Sequence, residues 1–110
     1  METISAKELD RYVQKDGFYI VDLRSPAEFA RGHIRGAANV PSGRFRKELE
    51  GMKNRAIILY CERGGFSMAV ARELEKEGYH TISVVGGIRA YRGTNIVRGQ
   101  QERKRVPKPF

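Results

Sequence analysis

The chain has 110 residues, enough for one domain and too few for a second core. With 40% hydrophobic and 31% charged residues it has the composition of an ordinary soluble globule. Its longest wholly apolar run, Ala56 to Cys61, is far short of the ~20 residues that span a bilayer. A single cysteine excludes an intrachain disulfide and a Cys-rich metal site, and the net charge of +8 favours anions of any kind without choosing among them.

Glu2 follows Met1 and no early apolar stretch reads as a secretory signal. The expected setting is the cytoplasm, where a lone thiol stays reduced. Ser5-Ala6-Lys7-Glu8 is a capping box, with Leu9, Tyr12 and Val13 at helical spacing after it. That predicts a helix of about ten residues ending near Gly17. Phe18 to Val21, continuing through Asp22 and Leu23, reads as a strand buried on both faces. Ser25-Pro26-Ala27-Glu28 is a second capping box with Pro at the first helical position, and Gly32 closes its helix. Ala37 to Val40 adds a short extended piece ended by Pro41, and Phe45 to Leu49 one or two helical turns. Ala56 to Tyr60 is the clearest buried strand, and the glycines of Cys61-Glu62-Arg63-Gly64-Gly65 mark a turn. A helix follows over Phe66 to Glu77, stopped by Gly78. Thr81 to Val85 is a third strand, Gly86-Gly87 ends it, and Ile88 to Arg92 forms at most a short helix.

This alternation predicts an α/β fold of three layers, α/β/α, around a mainly parallel sheet. Ligands gather at the carboxyl ends of such strands. Asp22, Cys61 and Gly86 all lie there and are expected on one edge.

Cys61 is the candidate nucleophile. Two glycines in its turn let backbone N–H groups point inward, and the helix start adds unpaired N–H groups and partial positive charge. A thiolate is favoured in that setting, and the same nest suits an oxyanion or a persulfide sulfur. Arg63 adds a cation. A carboxylate at Glu62 turned inward would disfavour the thiolate, so Glu62 is expected to face water. The plainer alternative is a small buried hydrophobe that ends a strand. No second cysteine can resolve a disulfide. His80 is expected on the opposite edge, and His33 reads as a structural histidine.

At these residues the chain resembles the single-domain rhodaneses, a sulfurtransferase family. Val21-Asp22-Leu23-Arg24-Ser25-Pro26-Ala27-Glu28-Phe29, with Gly32-His33-Ile34-Arg35-Gly36-Ala37-Ala38-Asn39-Val40-Pro41, is similar to the family's N-terminal signature. Cys61-Glu62-Arg63-Gly64-Gly65-Phe66 is similar to its active loop, and Gly86-Gly87-Ile88-Arg89-Ala90-Tyr91 to its C-terminal signature, where Trp usually stands at Tyr91. The resemblance covers residues 3 to 96, giving a domain over 1–97 and a tail over 98–110. It implies a persulfide carried on Cys61, an active loop of Glu62, Arg63, Gly64, Gly65, Phe66 and Ser67, and no metal or cofactor. The donor would be a small anion such as thiosulfate, and the acceptor a thiol, a protein thiol included, or cyanide. Many members have Arg at the sixth loop position, where Phe66 stands; either Arg63 supplies that charge from the third position or donor binding is weak. Tyr91 is expected only to pack.

Asp22 and Arg24 either shape the pocket wall or, more simply, fasten the second capping box to the sheet. Gly86 and Gly87 most simply allow close backbone approach beside the loop. A phosphatase of related fold needs an Arg five or six residues after the cysteine, and this chain has Phe66 and Ser67. The alternative function is a non-catalytic binding or sulfur-carrier module acting with a protein or RNA partner. Arg63-Gly64-Gly65-Phe66 is a single turn rather than a repeated RNA-binding tract. Nucleic acid would engage only the basic tail, where Arg98, Arg103, Lys104, Arg105 and Lys108 stand against Glu102. No contact with a membrane is expected.

Overall fold

The structure, a computed structural model, describes residues 1–41 and 43–100. Most of the basic tail, and with it the nucleic-acid role considered for it, lies outside the described residues. Among the described residues, ten strands and α-helices follow in chain order, with two 3-10 helices at Ala6–Arg11 and Ile88–Ala90. Strands β1 (Glu2–Ser5) and β2 (Phe18–Asp22) precede helix α1 (Pro26–Arg31) and the short strands β3 (His33–Ile34) and β4 (Ala38–Asn39). Then come α2 (Phe45–Glu48), β5 (Ala56–Tyr60), α3 (Gly65–Lys76), β6 (His80–Val85) and β7 (Ile96–Val97).

Five strands form one parallel sheet in the order β1–β6–β5–β2–β4. The mixed α/β architecture with a central parallel sheet is the one the sequence predicts. All five residues of β5 are buried, as a central strand covered on both faces requires. Strand alternation sorts its side chains. Ala56, Ile58 and Tyr60 pack with Leu9, Phe29 and Ile34 on one face; Ile57, Leu59 and Cys61 pack with Leu49, Val70 and Leu74 on the other. Each such aliphatic side chain contributes roughly 1.5–3 kcal/mol by leaving water. Cys61 continues the β5 alternation onto the face that α3 covers.

Both capping boxes form. Ser5 Oγ accepts the Glu8 N–H and Ser25 Oγ accepts the Glu28 N–H, while each glutamate accepts the N–H of its serine in return. The Ser25 backbone bond, then its hydroxyl, holds the Glu28 carboxyl below its ordinary value. The segment after the first box differs from expectation: Ala6–Arg11 is a 3-10 helix rather than a ten-residue α-helix. Only Ala6 and Leu9 of that segment are buried, so packing anchors little more than one turn, and Gln14 leaves helical space at φ 59°.

Two pairings and one tie were not foreseen. β1 adds a parallel edge strand to β6, and β3 pairs antiparallel with β7. Just past β7, the Gly99 N–H donates to the Ala30 carbonyl at 2.8 Å and Arg98 Nε to the Arg31 carbonyl at 3.3 Å, tying residues 98 and 99 to the end of α1. Among the described residues no helix is long and apolar enough to cross a membrane.

Candidate active site

Cys61 follows β5 directly and is 7% exposed. Its Sγ accepts two backbone N–H groups, from Gly64 at 3.2 Å and from Ser67 at 3.3 Å. The loop turns back on the sulfur because Gly64 adopts φ 105°, a left-handed conformation natural to glycine. Ser67, in the first turn of α3, fixes that geometry. Its hydroxyl donates to the Gly64 carbonyl at 3.1 Å and shares a 2.9 Å bond with Ser83 Oγ on β6, both serines being fully buried.

The glycine pair after β6 forms the floor. A Cβ on Gly64 would stand 2.9 Å from the Gly86 nitrogen, and one on Gly87 only 2.5 Å from the Glu62 carbonyl oxygen. That proximity lets the Ile88 N–H reach the Cys61 carbonyl at 3.0 Å and the Arg89 N–H reach the Glu62 carbonyl at 3.1 Å. The ends of β2, β5 and β6 thus meet at one edge, as the sequence predicts for Asp22, Cys61 and Gly86.

A cleft of about 590 Å³ opens over the sulfur. Leu23, Arg24, Ser25 and Glu28 line one side; Glu62, Arg63, Gly65 and Phe66 line the other beside Cys61. Asp22 is fully buried, and Arg24 grips it through Nε at 3.0 and 3.2 Å and through Nη2 at 2.7 Å. Nη2 also donates to the Gly32 carbonyl, and the Arg24 backbone N–H donates to Asp22 Oδ1. This pair fastens the α1 segment to the sheet, and Arg24 borders the cleft as well, so both sequence readings of these residues have a structural basis. Burial alone would lower the Arg24 pKa, but the hydrogen bonds and charge of Asp22 outweigh it and hold it above the ordinary value. Burial, with the Asp22 carboxylate adding to it, pushes the Tyr60 phenol well above its ordinary 10.0. Tyr60 therefore stays neutral and accepts the Ile34 N–H at 3.0 Å.

Glu62 does face outward. Its carboxylate lies 3.1 Å from Arg89 Nε and 3.7 Å from Arg24 Nη1, with 41% of the side chain exposed. Arg63 is exposed, and Phe66, at the sixth loop position, is 42% exposed at the cleft. His33 is buried and engaged elsewhere: Nδ1 pairs with the Phe29 carbonyl at 2.8 Å and the ring stacks on Phe29. His80 begins β6, at the end opposite the loop, and meets Glu2. Tyr91 does more than pack. Its hydroxyl donates to Asp10 and accepts the Asn95 N–H at 2.9 Å, a double role open to a phenol oxygen and closed to an indole N–H, which only donates. Two contributors escaped sequence reasoning. Ser83 carried a signal, a hydroxyl inside an otherwise apolar buried strand; Arg89 carried none.

The model of the rhodanese-like domain matches residues 5–94. The chain belongs to the rhodanese-like family. It is 30% identical over 95 residues to YtwF of Bacillus subtilis (strain 168), named as a candidate sulfurtransferase, with 84% of this chain and 92% of that protein covered. It is 34% identical over 73 residues to a tRNA sulfurtransferase of Desulfurococcus amylolyticus, of which it spans only 14%, using 66% of its own length. Among solved structures, a rhodanese-like domain protein from Staphylococcus aureus superimposes with a TM-score of 0.78 at 28% identity, covering 89% of this chain and 98% of that one. A rhodanese from E. coli, solved with anions, gives 0.65 at 26% identity, covering 74% and 99%. Sulfur transfer is therefore the chemistry of this rhodanese-like domain's family, and the loop after β5 is where the chain carries its single thiol.

Proposed function

We propose that this rhodanese-like domain carries sulfane sulfur on Cys61, taking it from an anionic donor of the thiosulfate type and passing it to a thiol or cyanide-like acceptor. One observation carries the reading: a lone cysteine sulfur at the mouth of a cleft, held by the N–H groups of Gly64 and Ser67. Those N–H groups are hydrogen-bond donors placed where sulfur carried on Sγ would need them. The next N–H groups of the α3 first turn, at Gly65 and Phe66, have no carbonyl one turn earlier in the helix.

In the first half-reaction the Cys61 thiolate attacks the outer sulfur of thiosulfate. The new S–S bond forms as the old one breaks, and sulfite leaves with the bonding electron pair. In the second, cyanide or a thiolate attacks the outer persulfide sulfur, and the Cys61 thiolate departs. Charge balances in both steps, and neither needs a proton to be moved at Sγ. The loop accordingly supplies hydrogen-bond donors rather than a base. Phe66 in place of a cation leaves room for a less polar acceptor, such as a protein thiol.

Initial rates of thiocyanate release, with thiosulfate and cyanide varied together, test the scheme. Parallel double-reciprocal lines, and their loss in Cys61→Ala, are the expected result. Intersecting lines, or turnover that survives Cys61→Ala, would overturn it.

A further inference from the structure

The guanidinium of Arg24 has five N–H donors. Nε and both hydrogens of Nη2 are taken up by Asp22 and the Gly32 carbonyl. Nη1 makes no hydrogen bond among the described residues; the carboxylate facing it, Glu62 Oε1, stands off at 3.7 Å. The side chain is only 9% exposed. Yet no buried side-chain nitrogen or oxygen among the described residues lacks a hydrogen-bond partner. Nη1 is therefore not sealed in, and Arg24 is one of the residues that line the cleft together with Cys61.

We propose that Arg24 Nη1 is the anion-binding group of this cleft, taking the oxyanion end of the sulfur donor, and that Glu62 is the carboxylate the anion displaces. The ligand's identity rests on the sulfur-transfer reading; the site itself is built from Asp22, Arg24 and Glu62. Three features support it. The cation is permanent. Its position is fixed in advance by the buried Asp22, so binding immobilises no further side chain, whereas the exposed Arg63 would have to be ordered. Glu62 can leave without being stranded, because its other oxygen is already 3.1 Å from Arg89 Nε.

Cys61 is the chain's single thiol, so total thiol alkylation reads this site alone. The experiment follows alkylation by iodoacetamide, a neutral reagent, while methanesulfonate is titrated against chloride at constant ionic strength. Wild type is expected to show saturable protection. Glu62→Gln, a change at a half-exposed side chain, is expected to lower the half-protecting concentration by roughly three- to fivefold, the order of one like charge removed from a partly solvated site. The paired change Asp22→Asn with Arg24→Gln removes both buried charges together and is expected to abolish protection. If that pair fails to fold by circular dichroism, the Glu62→Gln shift still decides. Absence of protection in wild type, an unshifted Glu62→Gln, or full protection in a folded paired variant would overturn the proposal. Sulfur transfer is not needed for the readout. Protection without any persulfide would leave Arg24 standing and sink the donor reading; persulfide formation without protection would do the reverse.

Discussion

Gly87→Ala is the sharpest test of how the loop is held. Gly87 has φ 63° and ψ −165°, a region that is essentially glycine's alone and costs other residues about 1–3 kcal/mol. An added Cβ would also stand 2.5–2.6 Å from the carbonyl oxygens of Cys61 and Glu62 and from the Glu62 carbonyl carbon. All three are backbone atoms, so no flexible side chain can yield, and forcing them apart costs about 1–3 kcal/mol more. The sum, about 2–6 kcal/mol, is a large part of the roughly 5–15 kcal/mol that holds a domain together. Urea unfolding should show the midpoint falling by roughly 1–3 M. The shift should also break the bonds from the Ile88 and Arg89 N–H groups to the loop and slow persulfide formation in whatever remains folded. Gly65→Ala is the control. Nothing lies within 4 Å of its Cβ and its φ is not positive, so stability should change by no more than about 1 kcal/mol. A Gly87→Ala protein within about 0.5 kcal/mol of wild type would refute the close-approach argument.

Other outcomes follow from the same geometry. Ser67→Ala should cost about 1–3 kcal/mol in urea unfolding, because it strands the buried Ser83 hydroxyl, and adding Ser83→Ala should recover part of the loss. Asp10 is held below its ordinary 3.8 first by the Tyr91 hydroxyl and then by Asn95. A carboxyl lowered on folding contributes stability that is present above 3.8 and lost as pH falls through its folded value. Tyr91→Phe should therefore cost up to about 1 kcal/mol at neutral pH, discounted for the exposure of Asp10, and the gap to wild type in thermal unfolding should narrow as pH falls below 3.8, leaving the share owed to the lost Asn95 N–H bond. Phe66→Arg places a cation at an exposed position on the cleft and should lower KM for thiosulfate with little change in stability, both read from purified protein.

The sheet's centre was legible in the sequence because its signals are local. Runs such as Ala56 to Tyr60 are apolar over strand length, and each capping box declares itself within four residues. The candidate site was legible for the same reason, as a cysteine between a buried strand and a glycine turn. What stayed hidden depends on partners distant in sequence. β1 is four residues with no apolar run and is a strand only because β6 offers it an edge. β3 and β7 are two residues each and pair across sixty residues of chain. The short 3-10 segment hid because its capping box marks a start and says nothing of how far packing extends. Arg24 was legible as a neighbour of Asp22, but only the side-chain geometry shows which of its donors are used and which are left over.

The central claim is that Cys61 accepts a sulfur atom, and intact-protein mass spectrometry after incubation with thiosulfate reads that event directly. Wild type should gain the mass of one sulfur, lose it on treatment with cyanide or a reducing thiol, and Cys61→Ala should gain nothing. An unchanged wild-type mass, or an equal gain in Cys61→Ala, would show that the thiol at the end of β5 is not the sulfur carrier.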